Sequence, residues 1–454
     1  MKLGIIGAGP GGYEAALYAA QRGIEVTLFE KQFVGGTCLN LGCIPTKTIL
    51  ASTELYSHIK EASQFGIKVE GAEISWEQVQ QRMLKTVAQL RKGVEFLLKK
   101  RGVRFINAEA FYLGDHRIEA GGQTYEFDNV IIATGSRPAE LPELATDKKW
   151  IINSNHFFTR KELPKRALVV GTGAIGLELS DILRAFGTEL TVVELVPQVM
   201  PLLDSDASSN YARILSKKGI KFIVGNSVKT IEHKEDHLKV TLTNDQELEV
   251  DQIVVGVGRT PNSEVIKTDK VQTERGKIKV NNSLVTSEEG TYAIGDVAMP
   301  PVSRGALAHV ASHEGVFAVK HILGEANEMD WHAVPWVVFT DPPLAAIGQT
   351  EKEASQAGLA VKTYTLPYRA LGAAVAKNRT EGFCKFIVEA DTGRILGVQM
   401  AGVGADLIIN EMAVVLQQNM TVKELSEVIH AHPTLSEVAK ESAFALLGYP
   451  INTM

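Results

Sequence analysis

The residues with the clearest chemical potential are two cysteines in Gly35-Gly36-Thr37-Cys38-Leu39-Asn40-Leu41-Gly42-Cys43-Ile44-Pro45-Thr46-Lys47. Cysteines at this spacing reach disulfide distance when the first turn of a helix is distorted, and Gly42 eases that distortion. A helix N-terminus also favours a thiolate. Lys47, four residues after Cys43, falls on the same face and adds positive charge. A reduced pair would hold one nucleophilic thiol and one stabilised thiolate, the equipment of thiol–disulfide exchange. Metal binding is the weaker alternative, because structural zinc takes four ligands and no His or further Cys stands nearby. Two inert buried thiols remain the other alternative. The third cysteine, Cys384, is alone in a strand-like segment and reads as a packed core thiol.

A second constellation closes the chain: His430-Ala431-His432-Pro433-Thr434-Leu435-Ser436-Glu437. Thr434 and Glu437 fit a capping box, with Thr434 as N-cap and Glu437 at the third helical position. The same spacing lets Glu437 orient His432, which then shuttles a proton to a substrate thiol. Capping and catalysis are compatible.

These groups need a scaffold, and the chain supplies one unit twice. An apolar strand, Lys2 to Ile6, runs into Gly7-Ala8-Gly9-Pro10-Gly11-Gly12, a helix from Tyr13 to Arg22, and a strand from Glu25 to Phe29 ending on Glu30. The first glycine makes the tight turn, the second lets backbone approach a pyrophosphate, and the third allows close helix–strand packing. The unit recurs as Ala167 to Val170, Gly171-Thr172-Gly173-Ala174-Ile175-Gly176, a helix toward Phe186 and the strand Leu190 to Val193 ending on Glu194. Glu30 follows Gly7, and Glu194 follows Gly171, by the same 23 residues. One such fingerprint is weak evidence; two, each with its acid, are strong. Asn129 to Gly135 and Gln252 to Gly258 echo one another as buried strands running into glycine turns. Two dinucleotide-binding domains follow, one for a cofactor that stays and one for a cofactor that exchanges. Thr291 to Asp296 is a short strand ending in Gly-Asp, and beyond about Pro335 the strand-like runs Gly382 to Val388 and Ile395 to Met400 indicate a separate α+β domain.

Bulk properties set the limits. A chain of 454 residues exceeds one compact core, so two to four domains are expected. The net charge of −6 is mild and no basic stripe points to nucleic acid; Lys99-Lys100-Arg101 closes an amphipathic helix begun near Trp76, where cations suit a C-terminus. No apolar run is long enough for a membrane span, and the first strand begins almost at Met1, which leaves no leader to cleave. Three cysteines exclude a disulfide-stapled secreted fold. A cytoplasmic protein of a prokaryote is expected.

At this point the chain resembles, over essentially its whole length, the dihydrolipoyl dehydrogenase family of class I pyridine nucleotide-disulfide oxidoreductases. The resemblance rests on the Cys38–Cys43 motif, the second fingerprint through Glu178, Thr291 to Asp296, Leu307-Ala308-His309, and His430 to Glu437. It implies an α/β fold with two Rossmann-like FAD/NAD(P)-binding domains and a C-terminal α+β dimerisation domain. The implied segments are an FAD-binding domain (1–143), an NAD-binding domain (144–262), a central domain completing the FAD site (263–334) and an interface domain (335–454). It implies FAD and NAD as cofactors, with no metal. The cofactor-binding positions carried over are Gly7, Gly9, Gly12, Glu30, Thr37, Lys47, Thr134, Gly135, Ser136, Asp296 and Ala308, with Gly171, Gly173, Gly176, Glu178, Glu194 and Gly258. Glu30 would hold the adenosine ribose of FAD, and Asp296 would lie near the ribityl chain. Cys38 would exchange with substrate and Cys43 would lie against the flavin as the charge-transfer thiolate. Lys47 would sit by the flavin and pair with Glu178, and His432 and Glu437 would reach into the partner's site in a homodimer.

The activity implied is oxidation of protein-bound dihydrolipoamide to lipoamide with NAD+, with a lipoyl-bearing subunit of a 2-oxoacid dehydrogenase or glycine-cleavage complex as partner. The rivals are a disulfide reductase of the glutathione reductase type and a flavoprotein serving mainly in assembly. Coenzyme choice has a physical argument: Glu194 repels a 2′-phosphate and bonds a free 2′-hydroxyl, and Leu195-Val196-Pro197 offers no Arg to clasp a phosphate. Departures from the family pattern are Asn107 in place of a Gly (although Asn tolerates left-handed geometry better than most residues), Ser303-Arg304-Gly305 as an insertion, and Pro342-Pro343-Leu344. Some members carry an N-terminal lipoyl domain; none is expected here.

Overall fold

Strands buried on both faces of a parallel sheet read as continuous apolar runs, and the runs noted above build two such sheets. The computed structural model describes residues 1–302 and 305–452, so Ser303 and Arg304 of the insertion lie outside the described residues. The chain divides into two units. The first comprises Met1–Ile49, Glu77–Ala139 and Gly258–Trp331, and the second Leu50–Trp76, Glu140–Val257 and His332–Met454.

In the first unit five parallel strands lie in the order Thr291–Ala293, Asn129–Ile132, Lys2–Ile6, Glu25–Glu30 and Arg104–Asn107. Ile6 pairs with Phe29 on one side and Ile132 on the other, which sets the ends of three strands level beside the Gly7 turn. Helix Pro10–Gln21 crosses helix Ala308–Ile322 through glycines: a Cβ on Gly315 would lie 2.4 Å from the Gly11 oxygen. Asn107 ends its strand opposite Glu30, and its φ is not positive. The ladder to Glu25–Glu30 holds Asn107 extended.

The second unit repeats the scheme. Its parallel strands run Lys221–Val224, Glu189–Glu194, Arg166–Val170, Gln252–Val255 and Ile151–Asn153, with Val170 paired to Val193 and Val255. The same unit carries an antiparallel sheet in the order Trp336–Val338, Leu344–Gly348, Ile395–Ala401, Phe383–Glu389, Val361–Pro367. Helices Ala405–Gln417 and Glu437–Leu446 close its core of Phe386, Val398, Met400 and Ile409. This is the α+β portion expected after Pro335. Lys385 of that sheet is buried, and its Nζ bonds Asp206 at 2.7 Å and Glu351 at 2.9 Å, with Asp204 at 3.3 Å. Cys384 is buried, and burial pushes its thiol above the ordinary range, as an inert core residue requires. No helix among the described residues is long and apolar enough to cross a membrane.

Candidate active site

The two fingerprint turns are superposable in their constraints. Gly7 has φ +100° and Gly171 +101°, so both need glycine. A Cβ on Gly12 would fall 1.9 Å from the Gly7 oxygen, and one on Gly176 2.0 Å from the Gly171 oxygen. By contrast, a Cβ on Gly9 or Gly173 would meet nothing within 4 Å. These middle glycines face open space at a helix N-terminus, which is the cradle a pyrophosphate fills. Each acid is braced as an acceptor. The Ala8 N–H donates to Glu30 Oε2 at 2.9 Å and the Gln32 N–H to Oε1 at 2.8 Å. The Thr172 N–H donates to Glu194 Oε2 at 2.8 Å and the Val196 N–H to Oε1 at 3.1 Å. In the first unit a cleft lined by Gly7, Glu30, Lys31, Glu109, Thr134 and Asn262 opens beside the turn. Both cradles fit a dinucleotide.

The cysteines fall on two helices. Gly36–Leu41 carries Thr37 and Cys38, Gly42 breaks the run at φ −140°, ψ −105°, and Cys43 opens the helix Cys43–Glu61. The distortion expected at Gly42 is thus a full interruption, which returns Cys38 to hydrogen-bond contact with Cys43. Buried Asn40 braces the motif: its Nδ2 donates to Val34 O and Gly36 O, both at 2.9 Å, and its Oδ1 accepts from Arg91 Nε at 2.7 Å. The bond to Cys43 pushes the Cys38 thiol up, aided by burial and by negative charge on Cys43, against the pull of Lys47.

Distant segments add two groups that motif reading missed. Arg259 follows the Gly258 turn, and its guanidinium bonds Ser136 Oγ and Ser136 O, each at 2.6 Å, and lies 3.6 Å from Asp296 Oδ2. Ser136 Oγ in turn donates to Asp296. Burial lowers Arg259 from its ordinary value, opposed by the charges of Asp296 and Cys43. A second cation beside Lys47 thus favours the Cys43 thiolate. Tyr13 stands close enough to feel Cys38: burial first, then Glu14 and Cys38, push its phenol up to about 12. The signal for Arg259 was its place next to a glycine already assigned to the cofactor; Tyr13 had none.

Of the remaining positions, Thr134 Oγ1 donates to Asn262 O at 2.8 Å, and Gly135 has φ +62°. Ala308 begins the helix Ala308–Ile322. Lys47 belongs to the first unit; Glu178 belongs to the second, where it is buried and Oε1 accepts the Phe339 N–H at 3.0 Å.

In the second unit His432 Nδ1 lies 2.9 Å from Glu437 Oε1, and the His432 side chain is 76 % exposed. Burial acts to raise the Glu437 carboxyl, but bonds from His432 and the Thr434 N–H outweigh it and hold it below the usual carboxylate range. An ionised carboxylate only accepts, so Nδ1 carries the proton of this bond and Nε2 points away from it. The expected capping box is half formed. Glu437 Oε2 accepts the Thr434 N–H at 2.9 Å, but Thr434 Oγ1 donates to Ala431 O instead. The helix begins at Glu437 with Ser436 as N-cap, because the turn after Pro433 takes the Thr434 hydroxyl away from the helix. Neighbouring His430 is instead buried against Glu411, at 2.8 Å.

Residues 1–315 match the model of the pyridine nucleotide-disulphide oxidoreductase family, and residues 334–443 match its dimerisation domain. The chain is 38 % identical to the protein named dihydrolipoyl dehydrogenase of Bacillus subtilis, over 99 % of this chain and 97 % of that one. It is 36 % identical to the mitochondrial dihydrolipoyl dehydrogenase of Pisum sativum, covering 99 % and 92 %. Among solved structures, LpdA of Mycobacterium tuberculosis matches with a TM-score of 0.89 and 28 % identity, over 98 % of this chain and 99 % of that one. The Cu(II) complex of the flavoprotein disulfide reductase RclA of Escherichia coli matches with a TM-score of 0.85 and 27 % identity, over 96 % and 98 %. Both nucleotide cradles, the cysteine pair and the antiparallel domain that follows them are those of one lineage: this chain belongs to the pyridine nucleotide-disulphide oxidoreductase family.

Proposed function

We propose that this chain is a dihydrolipoyl dehydrogenase, which oxidises the dithiol of a protein-bound dihydrolipoyl group to its disulfide with NAD+. The observation that carries the reading is the Cys38–Cys43 pair in hydrogen-bond contact, with Lys47 close enough to act on Cys38 and Arg259 close enough to feel Cys43. In the oxidised pair, a substrate thiolate attacks Cys38 and Cys43 leaves. A cation near Cys43 favours its departure as the thiolate. The second substrate thiol then attacks the mixed disulfide at the substrate sulfur, releases Cys38 and leaves the substrate oxidised and the pair reduced by two electrons. His432 takes the proton from the attacking thiol at Nε2, while Glu437 holds Nδ1. FAD supplies the two-electron relay from the dithiol to NAD+.

The FAD assignment goes to the first fingerprint with Glu30, Thr37, Lys47, Thr134, Gly135, Ser136, Asp296 and Ala308. The NAD assignment goes to the second fingerprint with Glu178, Glu194 and Gly258. The segments 1–143, 144–262, 263–334 and 335–454 then serve as FAD-binding, NAD-binding, central and interface domains. The exposure of His432 in the single chain supports its serving the Cys38–Cys43 pair of a second copy, in a cytoplasmic homodimer that docks a lipoyl-bearing protein. Likeness to RclA supports a second reading, a reductase acting on another disulfide. NADH formation by the purified yellow protein from dihydrolipoamide and NAD+, with NADP+ alongside, separates them. Strong activity with NAD+ supports the lipoyl reading; inactivity with flavin retained favours the second.

A further inference from the structure

The two acids, Glu30 and Glu194, occupy equivalent places at the ends of their strands, yet they are not held alike. Glu30 takes its fingerprint bond from the backbone of Ala8, whose side chain is a methyl. At the equivalent position the second unit has Thr172, which is fully buried. Its hydroxyl donates to Glu194 Oε2 at 2.9 Å, the same oxygen that takes the Thr172 N–H. The hydroxyl also accepts the Met200 N–H at 3.0 Å, which anchors the loop after Glu194 at a residue with φ +51°. The donor and an acceptor site of the hydroxyl are used, so its direction is determined.

We propose that Thr172 is a positioning residue for coenzyme choice: its buried hydroxyl locks Glu194 and the Val196–Met200 loop in the geometry that accepts a ribose 2′-hydroxyl and excludes a 2′-phosphate. With Oε2 occupied by two donors and Oε1 by the Val196 N–H alone, Oε1 is the oxygen with room to accept from the ribose. To make room for a phosphate, Glu194 must rotate away, and rotation breaks the bonds from Thr172 and Val196 together. Discrimination then comes from stiffness as well as charge. This rests on the NAD assignment of the second cradle.

The test uses flavin-loaded enzyme with Thr172→Val, which keeps volume and removes the hydroxyl, and Thr172→Ser, which keeps it. Calorimetry measures binding of adenosine 5′-diphosphoribose and of its 2′-phosphorylated form, and steady-state kinetics give KM and kcat for NAD+. In Thr172→Val, diphosphoribose binding is expected to weaken about tenfold and KM to rise in parallel, with the preference over the phosphorylated form narrowed. kcat and flavin content stay unchanged, and Thr172→Ser restores the wild-type values. Wild-type affinity and selectivity in Thr172→Val would overturn the proposal, as would equal losses in the valine and serine variants. Thr172→Ala serves as the hydroxyl-free variant if the valine does not fold. A wild-type enzyme that favours the phosphorylated form would instead refute the NAD assignment.

Discussion

His432 Nδ1 and Glu437 Oε1 stand 2.9 Å apart, while the other carboxylate oxygen of Glu437 takes the Thr434 N–H at the same distance. Both oxygens are thereby directed, and the imidazole is held with Nε2 outward. His432→Ala should lower kcat/KM for the dithiol about a hundredfold, and Glu437→Gln, which loses the charge but can still accept, about tenfold. A folded carboxyl held below its unfolded value contributes stability that is present above the unfolded value and lost as pH falls through the folded one. The His432–Glu437 bond should therefore survive through the ordinary carboxylate range. An inflection of kcat/KM between about pH 4.5 and 6 that vanishes in Glu437→Gln would contradict this.

The proposed charge-transfer role of Cys43, rather than Cys38, has an optical consequence. In flavin-loaded Cys38→Ser the remaining thiolate should give long-wavelength absorbance against the flavin, and Cys43→Ser should lack it. A band that persists in Cys43→Ser reverses the assignment of the two sulfurs.

If substrate exchange at Cys38 is complete before NAD+ is reduced, the kinetics are ping-pong. Initial rates at several fixed NAD+ concentrations should give parallel double-reciprocal lines against dihydrolipoamide. Intersecting lines would mean that both substrates must be bound together.

The middle and last glycines of the second fingerprint should behave oppositely. Gly173 has φ −69° and open space around its missing Cβ, so Gly173→Ala should melt like the parent while losing NAD+ affinity. Gly176→Ala drives a Cβ to 2.0 Å from the Gly171 oxygen and should destabilise the unit itself. Thermal melting beside NADH titration checks both, and retained affinity in Gly173→Ala would remove the pyrophosphate from that turn.

Lys385→Met tests the buried ion cluster. Burial lowers the Lys385 ammonium, but Asp206, Glu351 and Asp204 raise it more, so it lies above its ordinary value. Its stabilisation is present below the unfolded value and lost as pH rises through the folded one. Removing it leaves three neighbouring carboxylates without their shared cation and should cost about 3 kcal/mol at neutral pH, shrinking under strongly alkaline conditions. Denaturant unfolding at both pH values measures this, and equal stability of variant and parent would show that the carboxylates find water.

How much was legible follows from the range of the interactions. Gly12 and Gly176 were readable because each clash is with the first glycine of its own turn, and Gly7 and Gly171 because a left-handed turn is local. The place of the fifth strand in each parallel sheet was not. Thr291–Ala293 reaches the first sheet from beyond the entire second nucleotide unit, and Ile151–Asn153 precedes the strand Gln252–Val255 that it flanks. Thr434 was misread as a cap because a capping box and a bent approach to a helix share one spacing, and only the bond to Ala431 tells them apart.

The sequence by itself determined the repeated strand–turn–helix units, the acid ending each, the cysteine pair and the His432–Glu437 pair, because each is a local pattern with a local physical cause. The tertiary structure alone decided that Arg259 and Ser136 meet Asp296, that Arg259 comes close enough to Cys43 to feel its charge, and that the Thr172 hydroxyl turns into Glu194. Such meetings depend on how strand ends from distant segments are brought level in one sheet, and no spacing along the chain encodes that.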